Sequence, residues 1–179
     1  IIIRSYCESF FKTANSNVRL ASARAGNVIG GGDWAAHRIV PDCMKSWSNN
    51  EKVTIRNSLS TRPWQHVLEP LSGYLSLALK LRENKKLNGE SFNFGPSSKK
   101  EYSVGDLVHE LSKEWPDSNW HDTTNKNKKL YEANLLSLNC DKASKLLGWT
   151  SALDFSKTAK WTSEWYYEYY NRSKESAIE

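Results

Sequence analysis

The feature that most constrains the fold of this sequence is a glycine-rich stretch at residues 26–32 (GNVIGGG), in which four of seven residues are glycine. It follows residues 18–25 (VRLASARA), whose β-branched and small apolar residues predict a strand buried in a mostly parallel sheet. So many glycines indicate that the backbone passes close to another group or adopts positive φ angles. The spacing is neither that of the G-x-G-x-x-G dinucleotide fingerprint nor that of a P-loop.

This glycine loop (residues 26–33) lies between the predicted strand and a predicted helix over residues 35–47. Ligands of open α/β sheets bind at the carboxyl ends of the strands, and a helix N-terminus favours phosphate oxygens. The side-chain amide of Asn27 can donate a hydrogen bond to such an oxygen. The alternative is a tight structural loop in which Asn27 satisfies the local backbone.

Helical and strand-like segments alternate along the chain and place it in the α/β class. Residues 1–13 have apolar side chains at helical spacing, and residues 154–170 predict an aromatic-rich final helix whose rings pack in a core or an interface. Residues 53–56 and 64–67 predict short strands.

Two further helices have local signals. Pro70 suits a helix start, and Ser103 with Asp106 forms a capping box. The predicted apolar face of the helix after Pro70 consists of Leu71, Tyr74, Leu75 and Ala78.

Composition excludes several classes of protein. The 179 residues, of which 39% are hydrophobic and 25% charged, are enough for a folded domain with a core. No apolar run approaches the roughly 18 residues of a membrane-spanning helix. Three widely spaced cysteines without a C-x-x-C pair argue against a disulfide framework or a zinc site and favour a reducing cytoplasm. The chain starts at Ile1, without a methionine or a signal-peptide pattern, and we interpret it as a fragment.

The net charge of +5 can serve nucleic acid, a membrane surface or a phosphate-bearing small molecule. The lysines occur in short polar stretches, without a long basic block or a basic amphipathic helix. This pattern is typical of a solvated surface, so we expect no nucleic-acid partner and no membrane association.

A second candidate for binding is residues 62–67 (RPWQHV). Pro63 restricts the backbone after Arg62. A guanidinium held there can bind a phosphate pair through two parallel hydrogen bonds, with Arg38 and Arg56 as helpers. The alternative for this arginine is an ordinary ion pair with an acid such as Asp33 or Glu69.

A third candidate is Asn93 in residues 92–96 (FNFGP), a predicted strand that runs into a turn. An amide between two aromatic residues suits a side chain turned towards a ligand, and an amide that satisfies the turn is the open alternative. His66 has no evident nucleophile or metal partner, so we interpret it as a structural histidine. The sequence therefore predicts a binding surface without catalytic residues or a metal site.

At these positions the sequence resembles a known family. The matching stretches are residues 24–35 (RAGNVIGGGDWA), 38–42 (RIVPD), 62–71 (RPWQHVLEPL), 92–96 (FNFGP) and 141–149 (DKASKLLGW). They are similar to the CDP-glucose 4,6-dehydratases, lyases in the nucleotide-sugar branch of the extended short-chain dehydrogenases. The resemblance extends over nearly the whole chain.

The resemblance implies the C-terminal portion of such an enzyme, namely the end of a Rossmann-type parallel sheet plus a small α/β substrate-binding lobe. We expect residues 1–30 to end the NAD-binding domain and residues 31–179 to form mainly the substrate lobe, with some return to the sheet. The family converts CDP-glucose to CDP-4-keto-6-deoxyglucose, for surface polysaccharides, by NAD-mediated oxidation, water elimination and reduction. Its NAD fingerprint and catalytic Tyr-x-x-x-Lys would precede Ile1, so we expect this chain alone to lack both and to be inactive.

Transferred residue by residue, the resemblance implies seven substrate-binding positions. Those on the pyrophosphate side are Asn27, Arg62 and Asn93, and those around the nucleotide base are Arg38, Ile39, Val53 and Ile55. The family's usual proline is replaced by Ser58, and its usual turn late in the chain by Thr150-Ser151. Both departures suggest relaxed turns rather than lost binding.

The remaining expectations are a cytoplasmic protein and a homo-oligomer, because the first helix matches the one that the family uses to dimerise. Two alternatives stay open. One is a dehydratase or epimerase that acts on another nucleotide sugar, and the other is a non-catalytic nucleotide-sugar binding module that never had the dinucleotide-binding domain.

Overall fold

The computed structural model describes residues 2–12, 16–97, 100–123 and 138–172 and shows a mixed α/β fold. Its α-helices are α1 (Ile2–Tyr6), α2 (Ile39–Ser48), α3 (Leu68–Glu83), α4 (Val104–Ser112), α5 (Asp141–Leu147) and α6 (Phe155–Asn171). Its strands are β1 (Ser22–Ala25), β2 (Asn27–Ile29), β3 (Val53–Ile55), β4 (Thr61–Arg62), β5 (Trp64–His66), β6 (Ser91–Phe94), β7 (Tyr102–Ser103) and β8 (Trp120–Asp122). A π-helical turn, Cys7–Phe11, continues α1, and a 3-10 turn, Lys85–Leu87, follows α3.

One extended segment crosses between two parallel strand pairs at Gly26. β1 pairs in parallel with β6, and after this one residue β2 pairs in parallel with β5. The Gly26 amide donates to the carbonyl oxygen of Phe94 at 3.2 Å, and Nε2 of Gln65 donates to the same oxygen at 2.8 Å. A Cβ at Gly26 would lie 2.7 Å from the Pro63 carbonyl oxygen, so only glycine fits this crossing. The parallel pairs confirm the predicted α/β class.

The buried side chains form two hydrophobic cores. The larger core joins β3, α2, α4 and α6, and Met44, Leu111 and Tyr166 are fully buried in it. The smaller core joins β6, α3 and α5 around Phe92 and Phe94. The two cores draw on interleaved parts of the chain, so a domain boundary at residue 30 stays a prediction.

The capping box predicted at Ser103 is confirmed. At the start of α4, the amide of Asp106 donates to Oγ of Ser103 at 3.0 Å, and the amide of Ser103 donates to Oδ2 of Asp106 at 2.8 Å. The aromatic final helix is α6, and the carboxylate of Asp154 caps it by accepting from the Lys157 amide at 2.8 Å.

Two segments differ from their predictions. The strand expected over residues 18–25 is shorter, and Ala23 and Arg24 are exposed in it. β6 pairs with one edge of β1, and no strand of the described residues pairs with its other edge. The helix expected from residue 35 begins only at Ile39, because His37 has a left-handed φ of 66° that interrupts the helical path.

The predicted apolar face of α3 is wrong at Leu71, Leu75 and Ala78, which are exposed, whereas Tyr74 packs against Phe94 as expected. Leu71 and Leu75 are 48% and 69% exposed, and the helix packs instead through its opposite side, which includes Gly73 and Leu77. A Cβ at Gly73 would lie 2.3 Å from Cδ1 of Phe94, so the absence of a side chain is what lets this face approach the sheet. Leucine periodicity does not predict this contact between a glycine and an aromatic ring.

A buried carboxylate ties α3 to the segment that precedes α6. Glu69 is only 6% exposed, and its Oε1 accepts hydrogen bonds from the amides of Ala152 at 3.0 Å and Leu153 at 2.7 Å. A buried charge is tolerated when such donors replace its hydration. This clamp therefore fixes where α6 begins relative to the sheet.

We expect Glu69→Ala to lower the free energy of unfolding by about 3 kcal/mol, because two amides lose a charged acceptor. Urea unfolding followed by tryptophan fluorescence measures this loss. Glu83→Ala on the same helix breaks an exposed pair with Lys80 (3.6 Å) and should cost less than about 0.5 kcal/mol. Equal losses in the two variants would contradict the clamp.

Candidate functional site

A cavity of about 870 Å³ opens beside the glycine loop. Its walls are this loop, the start of α2, the strand β3 and the segment that contains β4. Six of the seven residues singled out from the sequence line it together, namely Asn27, Arg38, Ile39, Val53, Ile55 and Arg62. These residues are spread over 36 positions of the chain (27 to 62, both included), and the fold brings them around one space.

Among the described residues that line the cavity, arginines outnumber carboxylates. They are Arg38, Arg56 and Arg62, against Asp33 and Asp42. Clefts that carry one predominant sign of charge concentrate ligands of the opposite sign. The arrangement therefore favours an anionic ligand.

A different part of the same cavity is apolar. Val53 and Ile55 are 5% and 2% exposed and share one face of β3, because side chains alternate along a strand. Ile39, the first residue of α2, is half-buried beside them. An apolar wall next to a basic side suits a ligand with a flat ring and an attached anionic group.

The glycine loop is shaped by the protein's own aromatic side chains. A Cβ at Gly31 would lie 2.1 Å from Cδ2 of Trp165, and Gly32 has a positive φ of 77°. Both reasons expected for the glycines are thus present, close approach and positive φ. The close neighbour of Gly31 is a side chain of α6. At this position the glycine therefore has a structural role, which the sequence left open as the alternative to ligand binding.

The loop continues into a double hydrogen bond with Tyr166. The hydroxyl of Tyr166 accepts from the Asp33 amide at 2.9 Å and donates to the Asp33 carbonyl oxygen at 2.7 Å. Burial raises the pKa of this hydroxyl to about 12, so it keeps its proton at neutral pH. One side chain therefore satisfies both backbone groups of a loop residue that lines the cavity.

The carboxylate of Asp33 holds an arginine at the same cavity. Its Oδ1 accepts from the Ala35 amide at 3.0 Å, and its Oδ2 lies 3.1 Å from Nη1 of Arg38. The two acids considered as ion-pair partners of Arg62 are thus engaged elsewhere, Asp33 with Arg38 and Glu69 with two backbone amides.

Arg62 lies where two cavities meet. Together with Pro63, Trp64 and Leu138 it lines both the cavity described above and a second one of about 730 Å³. Its Nη1 donates to the carbonyl oxygen of Thr61 at 2.7 Å. Its backbone is fixed by antiparallel pairing of β4 with β7, where Arg62 lies opposite Tyr102.

Asn93 is the predicted site residue that stands apart. It does not line either cavity. Its Nδ2 donates to the carbonyl oxygen of Asn139 at 3.0 Å, and its buried Oδ1 has no hydrogen-bond partner within the described ranges. The acceptor is 46 positions away and does not belong to the turn at Gly95, so the bond differs from the turn contact considered as the alternative. A phosphate-side role for Asn93 stays a prediction.

His66 has the structural environment expected from the sequence. It is 8% exposed, its Nδ1 accepts from the Leu68 amide at 3.3 Å, and its ring contacts Trp161 edge-on. Burial lowers the pKa of His66, so the ring is neutral at neutral pH. Its burial, the local bond to the Leu68 amide and the contact with Trp161 agree with a structural histidine.

The expected absence of Tyr-x-x-x-Lys needs a correction. The spacing occurs once, at Tyr170 and Lys174. Tyr170 packs against Trp34 and Trp115 at ring-centroid distances of 6.0 and 6.1 Å and does not line either cavity, and Lys174 lies outside the described residues. The spacing at this place does not form a catalytic pair at the cavity.

Tyr166 and Trp165 were not expected to take part in the site. Both rings were expected in a core or an interface, which the structure confirms, but they also contact the glycine loop about 130 positions away in the chain. Within the described part of the chain, no helix is long and apolar enough to cross a membrane. Over the same ranges, no three His, Cys, Asp or Glu side chains are grouped as metal ligands would be.

Comparison with known sequences gives one informative relative. The chain is 41% identical over 173 residues to CDP-glucose 4,6-dehydratase of Salmonella typhimurium (strain LT2). The match covers 92% of this chain and 48% of that protein, so the chain spans about half the length of the curated relative it matches. No protein-family model matches the chain.

Solved structures give the same fold at lower sequence identity. The dTDP-glucose 4,6-dehydratase of Bacillus anthracis, in complex with NAD, has a TM-score of 0.72 at 17% identity over 96% of this chain and 49% of its own. An epimerase of Methanothermobacter thermautotrophicus has a TM-score of 0.71 at 20% identity over 97% of this chain and 48% of its own. The UDP-glucuronic acid 4-epimerase of Bacillus cereus, with UDP-glucuronic acid and NAD, has a TM-score of 0.67 at 18% identity over 92% of this chain and 49% of its own.

By fold, the chain is similar to about half the length of a dTDP-glucose 4,6-dehydratase and of two epimerases. By sequence, it is similar to the C-terminal portion of CDP-glucose 4,6-dehydratase in particular, which confirms the resemblance found in its motifs.

We expect Gly31→Ala to lower the free energy of unfolding by about 2 kcal/mol, because its Cβ would collide with an indole that is stacked on Tyr169 at 5.5 Å. The measurement is a double-mutant cycle, in which urea unfolding is followed for the unchanged chain, Gly31→Ala, Trp165→Val and the double variant. In the Trp165→Val background the cost of the added methyl group should fall by more than half. The same cost in both backgrounds would show that the indole is not what constrains the loop.

Proposed function

We propose that this chain is the substrate-binding portion of a CDP-glucose 4,6-dehydratase, which converts CDP-glucose to CDP-4-keto-6-deoxyglucose. The observation that carries the proposal is that three arginines and an apolar wall line the same cavity, in a chain 41% identical to such an enzyme. A nucleoside diphosphate sugar has the matching parts, a charged pyrophosphate and a flat base.

The proposed assignment of parts follows the charges. The pyrophosphate lies between Arg62 and Asn27, because a guanidinium binds paired phosphate oxygens bidentately and an amide supplies a neutral donor. The cytosine ring lies against Val53 and Ile55, whose aliphatic side chains are already desolvated in the larger core. Arg38 lies at the edge of the base region.

The chemistry of the whole enzyme requires groups that these residues do not supply. In such enzymes a bound NAD would supply the hydride acceptor and donor. The chain contains no G-x-G-x-x-G turn, so its own residues do not form the dinucleotide phosphate cradle, and we assign NAD mainly to the half that the matched relative has in addition. The chain binds and orients the substrate, and alone it is inactive.

An alternative within the same fold is a dehydratase or epimerase for another nucleotide sugar. It is favoured by the structural neighbours, which include epimerases named for UDP sugars. The apolar wall by itself accommodates more than one pyrimidine, so the choice between bases needs a binding experiment. A non-catalytic binding module would have the same cavity and is distinguished by the absence of dehydratase activity in the whole protein.

Oligomerisation and location stay predictions. The dimer-forming role expected of the first helix would cover Ile2, Tyr6 and Phe10, which are 75%, 56% and 59% exposed on α1 and the turn that continues it. A cytoplasmic location, and a partner set without nucleic acid or membrane, rest on composition and charge pattern alone.

Calorimetric titration of the chain with CDP, UDP and dTDP tests the proposed function. We expect CDP to bind most tightly, and Arg62→Met to weaken it at least about tenfold because a charge-assisted contact to phosphate is lost. Arg82→Met removes the same charge on α3, away from both cavities, and should leave the affinity unchanged. Tighter binding of UDP or dTDP would overturn the cytidine assignment, and equal effects of the two variants would overturn the phosphate site.

A further inference from the structure

The backbone of Asp33 is held on both sides by one buried hydroxyl. Tyr166 is fully buried, and its hydroxyl bonds both the amide and the carbonyl oxygen of Asp33. Its ring is held edge-on between Trp34 at 5.4 Å and Trp165 at 5.1 Å. The hydroxyl is therefore a fixed point of the larger core, and the loop residue is attached to it.

The side chain of Asp33 connects its fixed backbone to Arg38. One carboxylate oxygen accepts from the Ala35 amide, and this bond leaves the other oxygen turned to Arg38. With backbone and side chain both held, the position of the carboxylate is set before any ligand arrives. Arg38 also lines the cavity, so the chain of contacts runs from the core to the site.

The ion pair needs this support. The side chain of Arg38 is 66% exposed and that of Asp33 is 33% exposed, and pairs this open to water contribute little by themselves because ordering two side chains offsets their attraction. The neighbouring His37 has a left-handed φ of 66°, a conformation that costs energy in a residue with a side chain and persists where its surroundings hold it.

We propose that Tyr166 is a positioning residue for the nucleotide cavity, which acts through Asp33 to hold the guanidinium of Arg38 at the cavity edge. Tyr166 does not line the cavity, so its effect on a ligand is indirect. The identity of the ligand used below rests on the proposed function, whereas the positioning itself does not.

The proposed role depends on the hydroxyl of Tyr166 and not on its ring, and substitutions can distinguish the two. Tyr166→Phe keeps the buried aromatic packing and removes both bonds to the backbone of Asp33. Asp33→Asn keeps those backbone bonds and an oxygen for the Ala35 amide but removes the charge that pairs with Arg38. If the contacts act in series, the two changes have the same consequence at the cavity.

We expect Tyr166→Phe and Asp33→Asn each to weaken CDP binding about tenfold in calorimetric titrations. In an Arg38→Met background, Tyr166→Phe should produce no further loss, because residues that act through one contact are not additive. Tyr74→Phe, a ring in contact with Phe94 in the smaller core, is the matched control and should bind as the unchanged chain does. Unchanged affinity in Tyr166→Phe or in Asp33→Asn, or an additive loss in the Arg38→Met background, would overturn the proposal.

A second measurement needs no nucleotide. The exchange rate of the Arg38 guanidinium protons with water, followed by NMR, should rise at least about fivefold in Tyr166→Phe and remain unchanged in Tyr74→Phe. If the unchanged chain does not bind CDP and this rise is found, the nucleotide assignment fails and the positioning role stands. No rise in exchange would overturn the positioning role, whatever the chain binds.

Discussion

The carbonyl oxygen of Phe94 accepts hydrogen bonds from the Gly26 amide and from the Gln65 side chain, and the arrangement of both strand pairs depends on this junction. A Cβ at Gly26 would lie only 2.7 Å from the Pro63 carbonyl oxygen. Because glycine has no Cβ, β1 can leave β6 and continue as β2 beside β5. The crossing brings the start of β2 at Asn27, which pairs with Trp64, close to the segment that carries Arg62. The cavity lies where these two segments meet α2 and β3.

Much of this architecture could be predicted from local sequence signals. The capping box at Ser103, the final helix and the α/β class follow from short-range rules, because capping, periodicity and turn residues act within a few positions. Among the residues of the cavity, Asn27, Arg38 and Arg62 were singled out from local patterns, whereas Ile39, Val53 and Ile55 were found only by resemblance. Residues such as Val53 and Ile55 have nothing in their own sequence context to distinguish them from ordinary core positions.

The features that sequence analysis missed depend on contacts between distant positions. The packing face of α3 is set by a close approach at Gly73, which a count of leucines cannot register. The attachment of the glycine loop to Tyr166 spans 133 positions, so a hydroxyl in an aromatic-rich helix carries no local sign of it. Glycines in such a loop can therefore indicate a neighbouring aromatic ring as readily as a ligand.

We propose that a nucleotide binds between the glycine loop and Arg62, and an amide NMR titration of the chain with CDP tests this. We expect the largest shift changes at residues that line the 870 Å³ cavity, above all Asn27, Gly30 and Arg62. Shift changes confined to residues 149–154, on the far side of the second cavity, or no changes at millimolar CDP, would contradict it.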